Sequence, residues 1–290
     1  MIRDFTYLKP SSLSEALKML KDYGEEAKII CGGQSLLILM RQGMVTPSYL
    51  MDIKHLDELR YIRFDERNGA RIGATATHRE IERSPLLRQH YPVLPEMERR
   101  LATIQTRNWG TIGGNLAHAD PAGDPGPVLV ALGASVTLKS LDGERTIPLE
   151  EFFVDYFETA LRKDEILYEV SIPKPQRRSA CTYTKFNLIE SDMGIVSCAC
   201  FVALEDGEVM KDVKIVLGNA GPVPLRARRA EEMLKGKRGD EGLFEEVAKV
   251  CSEDSQPVTD IHASEEYRRH LVYVLAKRML RKAFSEAKVC

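Results

Sequence analysis

Apolar positions along the chain change period several times, and each change predicts an element. "SSLSEALKMLKDYG" (11–24) sets Leu13, Ala16, Leu17 and Leu20 three and four residues apart, one face of an α-helix. Ser12 with Glu15 three residues on predicts a capping box at its start, and Gly24 closes it. "KIICGGQSLLILMR" (28–41) runs from a strand-like apolar stretch through Gly32 and Gly33 into a Leu-rich helical pattern. "SYLMDI" (48–53) and "RYIRFDERNGARIGATATH" (60–78) read as strands, the second folded at Asn68-Gly69. "HREIERSPLL" (78–87) and "PVLPEMERRLATI" (92–104) read as helices, and "PVLVALGASVTLKSLDGERTIPL" (127–149) as a helix and then a hairpin through Asp142-Gly143.

Near residue 173 the texture changes. "SIPKPQRRS" (171–179) carries two prolines and a basic cluster and predicts a linker, dividing the chain into 1–174 and 175–290. Beyond it, "GIVSCACFVALEDGEVMKDVKIVLGNAGPVPLR" holds two or three β runs with a turn near Asp206-Gly207. Three helical patterns follow, and in the last Tyr267, Leu271, Val274, Leu275 and Met279 line one side. Strands first and helices after make this second region a smaller α+β domain. No repeat at a fixed period and no low-complexity tract interrupts it.

Composition narrows the function classes. The 290 residues have room for about two domains, with 43% hydrophobic content. Forty-one basic and forty-three acidic residues give a net charge of -2, so no overall field attracts nucleic acid or anionic lipid. "MIRDFTYLKP" lacks the apolar core of a signal peptide and no stretch has the length to span a bilayer, so a soluble cytoplasmic protein is expected. Cysteines at 31, 181, 198, 200, 251 and 290 form no C-x-x-C pair, so the chain itself is expected to hold no metal. Cys198 and Cys200 share one face of a strand as small apolar residues.

The two glycine-rich segments carry the chemistry. A strand, a Gly-Gly turn and a helix start suit a left-handed turn, but they also aim backbone N–H groups at one point, as a phosphate requires. "RNWGTIGGNLAHADPAGDPGPVLVALGA" (107–134) repeats the theme with Gly110, Gly113 and Gly114 before a helical run. Converging in space, the two could grip a diphosphate with N–H groups from Gly32 to Ser35 and Thr111 to Asn115, while Asn115 and Asp124 meet ribose or ribityl hydroxyls. Neither is a P-loop or a G-x-G-x-x-G motif. His78 and His118 read as cap and loop residues rather than acid–base groups, and Trp109 as a stacking or a packing residue.

"GGQSLL", "RIGATATHREIE", "IQTRNWGTIGGNLAHADPAGD" and "YTKFNLIESDMGIVS" occur in the order and spacing of one family. Over nearly its whole length the chain resembles the FAD-binding, medium subunit of the xanthine dehydrogenase and carbon monoxide dehydrogenase (molybdenum hydroxylase) family. The resemblance implies an α+β fold: a two-subdomain FAD-binding domain of vanillyl-alcohol oxidase (PCMH) type, subdomains about 1–56 and 57–174, and a C-terminal domain on a three-stranded antiparallel sheet with helices. It makes Gly32, Gly33, Gln34, Ser35 and Leu36 the first pyrophosphate loop, and Thr111, Ile112, Gly113, Gly114 and Asn115 the second. Asp124 matches an acidic position at the FAD polyol, Lys185 a lysine near the flavin, and Leu167 or Tyr168 an aliphatic position packed on the ring. The loop Phe186 to Val196, with Asp192 and Met193, lies against the flavin in relatives.

The implied function is electron transfer: non-covalent FAD passes electrons from partner [2Fe-2S] clusters to an external acceptor. Molybdopterin resides on a large partner subunit and the clusters on a small one, in a dimer of heterotrimers. This chain contributes no catalytic acid–base residue. Two alternatives are a self-sufficient flavin oxidase of the vanillyl-alcohol oxidase type, which would need substrate acid–base groups over the flavin, and a non-catalytic nucleotide-binding module.

Overall fold

A computed structural model describes residues 2–289; Cys290, one of the six cysteines, lies outside the described residues. The chain opens with β1 (Thr6–Leu8), α1 (Leu13–Tyr23), β2 (Ala27–Ile30), α2 (Leu36–Arg41) and β3 (Tyr49–Asp52). The three strands form a parallel sheet in the order β1-β3-β2. Leu13, Ala16, Leu17 and Leu20 of α1 are buried as the period predicts, packing with Met51, Ile53, Leu56 and Leu59. Only half of the capping box forms. Ser12 accepts from the Glu15 N–H at 3.2 Å, but the Glu15 carboxylate accepts from Ser11, both N–H and Oγ, each at 2.6 Å.

A second sheet is antiparallel, built from β4 (Ile62–Asp65), β5 (Gly69–Gly73), β6 (Ser135–Ser140), β7 (Gly143–Pro148) and β10 (Ile166–Ile172) in the order β4-β5-β10-β6-β7. Between β5 and β6 run α3 (His78–Arg83), α4 (Pro85–His90), α5 (Val93–Arg99), α6 (Ile104–Trp109), α7 (Ile112–His118) and α8 (Pro125–Ala131). The two predicted helices of this stretch are each cut in two. Ser84 ends α3 and caps α4, because Pro85 cannot extend a helix already begun. Thr103 starts α6 afresh after Ala102 adopts a positive φ of 41°. The short α9 (Leu149–Phe152), β8 (Phe153–Asp155) and β9 (Glu158–Thr159) precede β10.

The C-terminal region forms β11 (Ser179–Phe186), β12 (Val196–Leu204), β13 (Met210–Gly218), β14 (Leu225–Arg226), α10 (Arg228–Leu234), α11 (Glu241–Asp254) and α12 (Glu265–Ala287). Its antiparallel sheet, β11-β12-β13-β14, has the three long strands expected plus a two-residue fourth. All nine residues of β12 are buried. Cys198, Cys200 and Val202 face the core under α12, while Ala199, Phe201 and Ala203 join the core of the second sheet and its helices. Cys198 and Cys200 are small core residues, with sulfurs 3.8 Å apart. The face of α12 differs from expectation at two positions: Tyr267 is 43% exposed and Val274 half-buried, and the packed stripe runs through Leu271, Val272, Leu275, Ala276, Met279 and Leu280. The predicted linker is docked, since Tyr91 donates its hydroxyl to the Pro173 carbonyl at 2.8 Å.

Candidate functional site

The first glycine turn joins β2 to α2. Gly33 has φ +68°, the left-handed conformation that favours glycine. Gly32 is bare for another reason: a Cβ there would lie 2.5 Å from the Trp109 carbonyl oxygen and 2.6 Å from Gly110 Cα. The two glycine segments therefore touch, backbone on backbone. The N–H groups of Gly32, Gly33, Gln34, Ser35 and Leu36 donate to no acceptor among the described residues. Gln34 turns its side chain back to the Gly32 carbonyl, with Nε2 donating at 2.9 Å.

The second turn is organised differently. Ile112 donates to Ala76 at 3.0 Å and Gly113 to Ala74 at 2.9 Å, while His78 donates to Gly110 at 3.1 Å, so residues 110–113 lie along residues 74–78 like an added strand. Thr111 caps α7, accepting from the Gly114 N–H at 3.2 Å, and Asn115 donates to the Thr111 carbonyl at 3.0 Å. Of the five expected donors from Thr111 to Asn115, only Thr111 has an N–H without a partner among the described residues. Gly110, Gly113 and Gly114 have no positive φ; Gly113 is bare because a Cβ would lie 2.6 Å from that of Ala74. Cys31 stands between the turns, hydrogen-bonded to Thr111, and burial pushes its thiol up to about 12. At that value it is a thiol rather than a thiolate at neutral pH.

Asp124 and Lys185 meet. The Lys185 ammonium donates to one Asp124 oxygen at 2.7 Å and the half-buried Tyr183 hydroxyl to the other at 2.5 Å, Lys185 and Asp124 both being buried. Burial, with the Asp124 charge beside it, holds the Tyr183 phenol well above its usual range. Lys185 is thus half of a buried ion pair, in which each charge is satisfied by the other. Gly194 packs against Lys185, where a Cβ would lie 3.1 Å from the lysine's own. Asn219 donates to the Gly194 carbonyl at 2.9 Å, and buried Arg268 donates to the Ile195 carbonyl while pairing with Asp260 at 2.6 Å. The base of the 186–196 loop is therefore pinned, whereas Leu188, Ile189 and Met193 at its tip, and Asp192, are exposed.

Leu167 and Tyr168 point to opposite faces of β10. Leu167 is enclosed in the central core and has no free face for a ring. Tyr168 lines a cavity of about 460 Å³ with Tyr61, Arg71 and Glu169, and the Lys139 ammonium stands 3.7 Å from its ring centre. Trp109 is largely exposed, with the Lys54 ammonium 4.0 Å from its ring centre and donating to its carbonyl at 2.8 Å. His118 ends α7 beside Phe157, and burial lowers its basicity. His78 starts α3 behind Thr77, which forms a full capping box with Glu80, and its ring is buried against Glu98. Beyond Gly73, where β5 ends, the 74–78 segment predicted as strand is instead the bed on which the second turn lies.

A diphosphate group fits this arrangement: five successive N–H groups without a partner among the described residues, and a polar cluster at Asp124. A family model described as the FAD binding domain in molybdopterin dehydrogenase matches residues 3–175, and one described as the CO dehydrogenase flavoprotein C-terminal domain matches residues 181–283. The chain is 35% identical over 284 residues to the 6-hydroxypseudooxynicotine dehydrogenase complex subunit alpha of Paenarthrobacter nicotinovorans, covering 98% of this chain and 96% of the relative. It is 30% identical over 281 residues to the carbon monoxide dehydrogenase medium chain of Hydrogenophaga pseudoflava, covering 97% of each. Its fold matches that of carbon monoxide dehydrogenase from the same organism with a TM-score of 0.95 over 99% of both chains at 30% identity. Quinoline 2-oxidoreductase from Pseudomonas putida 86 matches with a TM-score of 0.93 over 99% of both chains at 31% identity.

Proposed function

The chain belongs to the family of FAD-binding flavoprotein subunits of molybdopterin dehydrogenases, and from that premise we propose that it carries electrons from [2Fe-2S] clusters on a small partner subunit, through non-covalent FAD, to an external acceptor. A large partner subunit with molybdopterin oxidises the substrate and sets its identity. The assembly is a cytoplasmic dimer of heterotrimers, and the chain divides into PCMH-type subdomains 1–56 and 57–174 and a C-terminal domain 175–290.

The observation that carries this reading is the run of five N–H groups, Gly32 to Leu36, without a partner among the described residues, in a turn whose Gly32 touches Gly110 of the second. Gly32, Gly33, Gln34, Ser35 and Leu36 supply donors to the diphosphate. Thr111, Ile112, Gly113, Gly114 and Asn115 supply a wall of fixed shape, one N–H and the Asn115 side chain. The Asp124–Lys185 pair stands at the polyol and flavin end, and Tyr168, Asp192 and Met193 border the ring. Bound FAD supplies the redox chemistry; the chain's residues hold it in place, and the loop tip governs the acceptor's approach.

The test is to strip FAD from the assembled complex and add substrate. Cluster reduction should proceed at its normal rate while acceptor turnover stops, and returning FAD should restore it. Acceptor turnover at full rate without FAD would overturn the proposal. Acid precipitation should leave the yellow colour in the supernatant.

A further inference from the structure

Glu98 is wholly enclosed, 0% exposed on α5, a helix whose sequence gives no reason to bury a charge. Its carboxylate faces the Nδ1 of His78, 3.1 Å from one oxygen and 2.9 Å from the other, the second lying off the N–H axis. His78 is 3% exposed. Burial raises the Glu98 carboxyl above its usual range, and His78 opposes that rise. The other charges around the pair are Asp124, bound to Lys185 and Tyr183, and Arg107, bound to Glu82, which also holds Arg79.

The other edge of the imidazole stands at the joint of the glycine turns. A Cβ built on Gly110 would meet His78 Cδ2 at 3.0 Å and Gln34 Cγ at 3.5 Å, so the ring edge bearing Nε2 lies where Gly110 and Gln34 come together. Nε2 has no hydrogen-bond partner among the described residues. The fully enclosed unpaired side-chain atoms are Thr75 Oγ1, Glu98 Oε2 and Arg268 Nε, so Nε2 borders accessible space. The buried imidazole thus has one nitrogen committed to a carboxylate and the other without a partner, beside the joint of the glycine turns.

Resting on the FAD reading above, we propose that His78 is a further cofactor-binding residue, positioned by Glu98, whose Nε2–H donates to a diphosphate oxygen when the imidazole is protonated. Glu98 fixes the proton on Nδ1. With the ring neutral, Nε2 is then an acceptor and repels a phosphate oxygen; with one more proton it becomes a charged donor. Diphosphate binding therefore draws a proton from solvent onto Nε2. Affinity for FAD therefore falls as pH rises, by up to tenfold per pH unit for a single linked proton.

The full-length chain, stripped of FAD, is titrated with FAD between about pH 6 and pH 9, with proton uptake measured in buffers of different ionisation enthalpy. The parent should lose affinity as pH rises and take up close to one proton per FAD at the alkaline end. His78→Asn keeps a donor toward Glu98 and removes Nε2; its FAD dissociation constant should rise about tenfold at low pH and show no linked proton. His78→Gln returns an N–H near the Nε2 position and should recover most of that affinity, still without proton uptake. Apoprotein melting temperature, followed in parallel, separates a binding role from a structural one. An FAD affinity of the parent that is flat across this pH range would overturn the proposal whatever the variants do. So would His78→Asn binding FAD as the parent does. Failure of the parent to bind FAD at any pH would instead overturn the cofactor assignment.

Discussion

The turn at Gly32-Gly33 and the turn at Gly110 to Gly114 look alike in sequence and are opposite in their hydrogen bonding. Five successive N–H groups of the first donate to nothing among the described residues, whereas four of five in the second are already committed, two of them to residues 74–76. The bareness of each also has a different cause. Gly33 needs a left-handed φ and Gly32 admits the backbone of Gly110, while Gly113 admits Ala74. Glycine density thus marks a place of close approach without saying what approaches. Unpaired donors in a half-buried turn cost about 1–3 kcal/mol each when water is excluded, so the first turn has donors to offer a partner from outside, whereas the second is already paired.

Substitutions can break that contrast. Gly32→Val carries the largest expected effect, because its Cβ meets backbone rather than a movable side chain; the turns must part, with FAD lost and stability lowered by about 3 kcal/mol. Flavin content and denaturant unfolding measure both, and a stable yellow variant would end the idea that the turns must touch. Gly33→Val should cost about 2 kcal/mol in stability from its φ of +68° and weaken FAD binding about a hundredfold. Gly114→Val, with no positive φ and a Cβ 2.9 Å from the Thr111 hydroxyl, should weaken binding less; the reverse order would show that the second turn holds the diphosphate. Thr111→Ala removes the cap on α7 and should lower stability by about 1 kcal/mol with less than a tenfold change in FAD affinity. Smallest of all, Asp192→Asn should raise the flavin midpoint by the equivalent of about 1 kcal/mol or less and alter acceptor turnover. An unchanged redox titration would remove Asp192 from the site and leave the turns untouched.

Much of the scaffold was legible because it is local. The buried stripe of α1, the hairpin at Asp142-Gly143 and the strand-turn-helix at Gly32 each follow from residues within one or two turns of one another. What escaped was non-local or polar and buried. The pairing of 110–113 with 74–78 joins segments more than thirty residues apart, with no period to announce it. Glu98 sits in "PEMERRL", where a carboxylate looks like the solvated side of a helix, and only the fold brings His78 to it. Lys185 alternates with Tyr183 as a surface lysine would, yet both end on Asp124 from another element. Charge pairs of this kind have no sequence signature short of the tertiary structure itself.

The burial of β12 on both faces bears on how the molecule comes apart. Its odd-numbered residues complete the core beneath α5 and α8, and its even-numbered ones complete the core beneath α12. A fragment ending at residue 174 would present the apolar undersides of α5 and α8 to water, and residues 175–290 alone would present Ala199, Phe201 and Ala203. Neither half is therefore a self-contained product of translation or proteolysis. The chain should melt in one cooperative transition, and a protease that nicks the 173–178 connection should leave two pieces that stay together until both unfold.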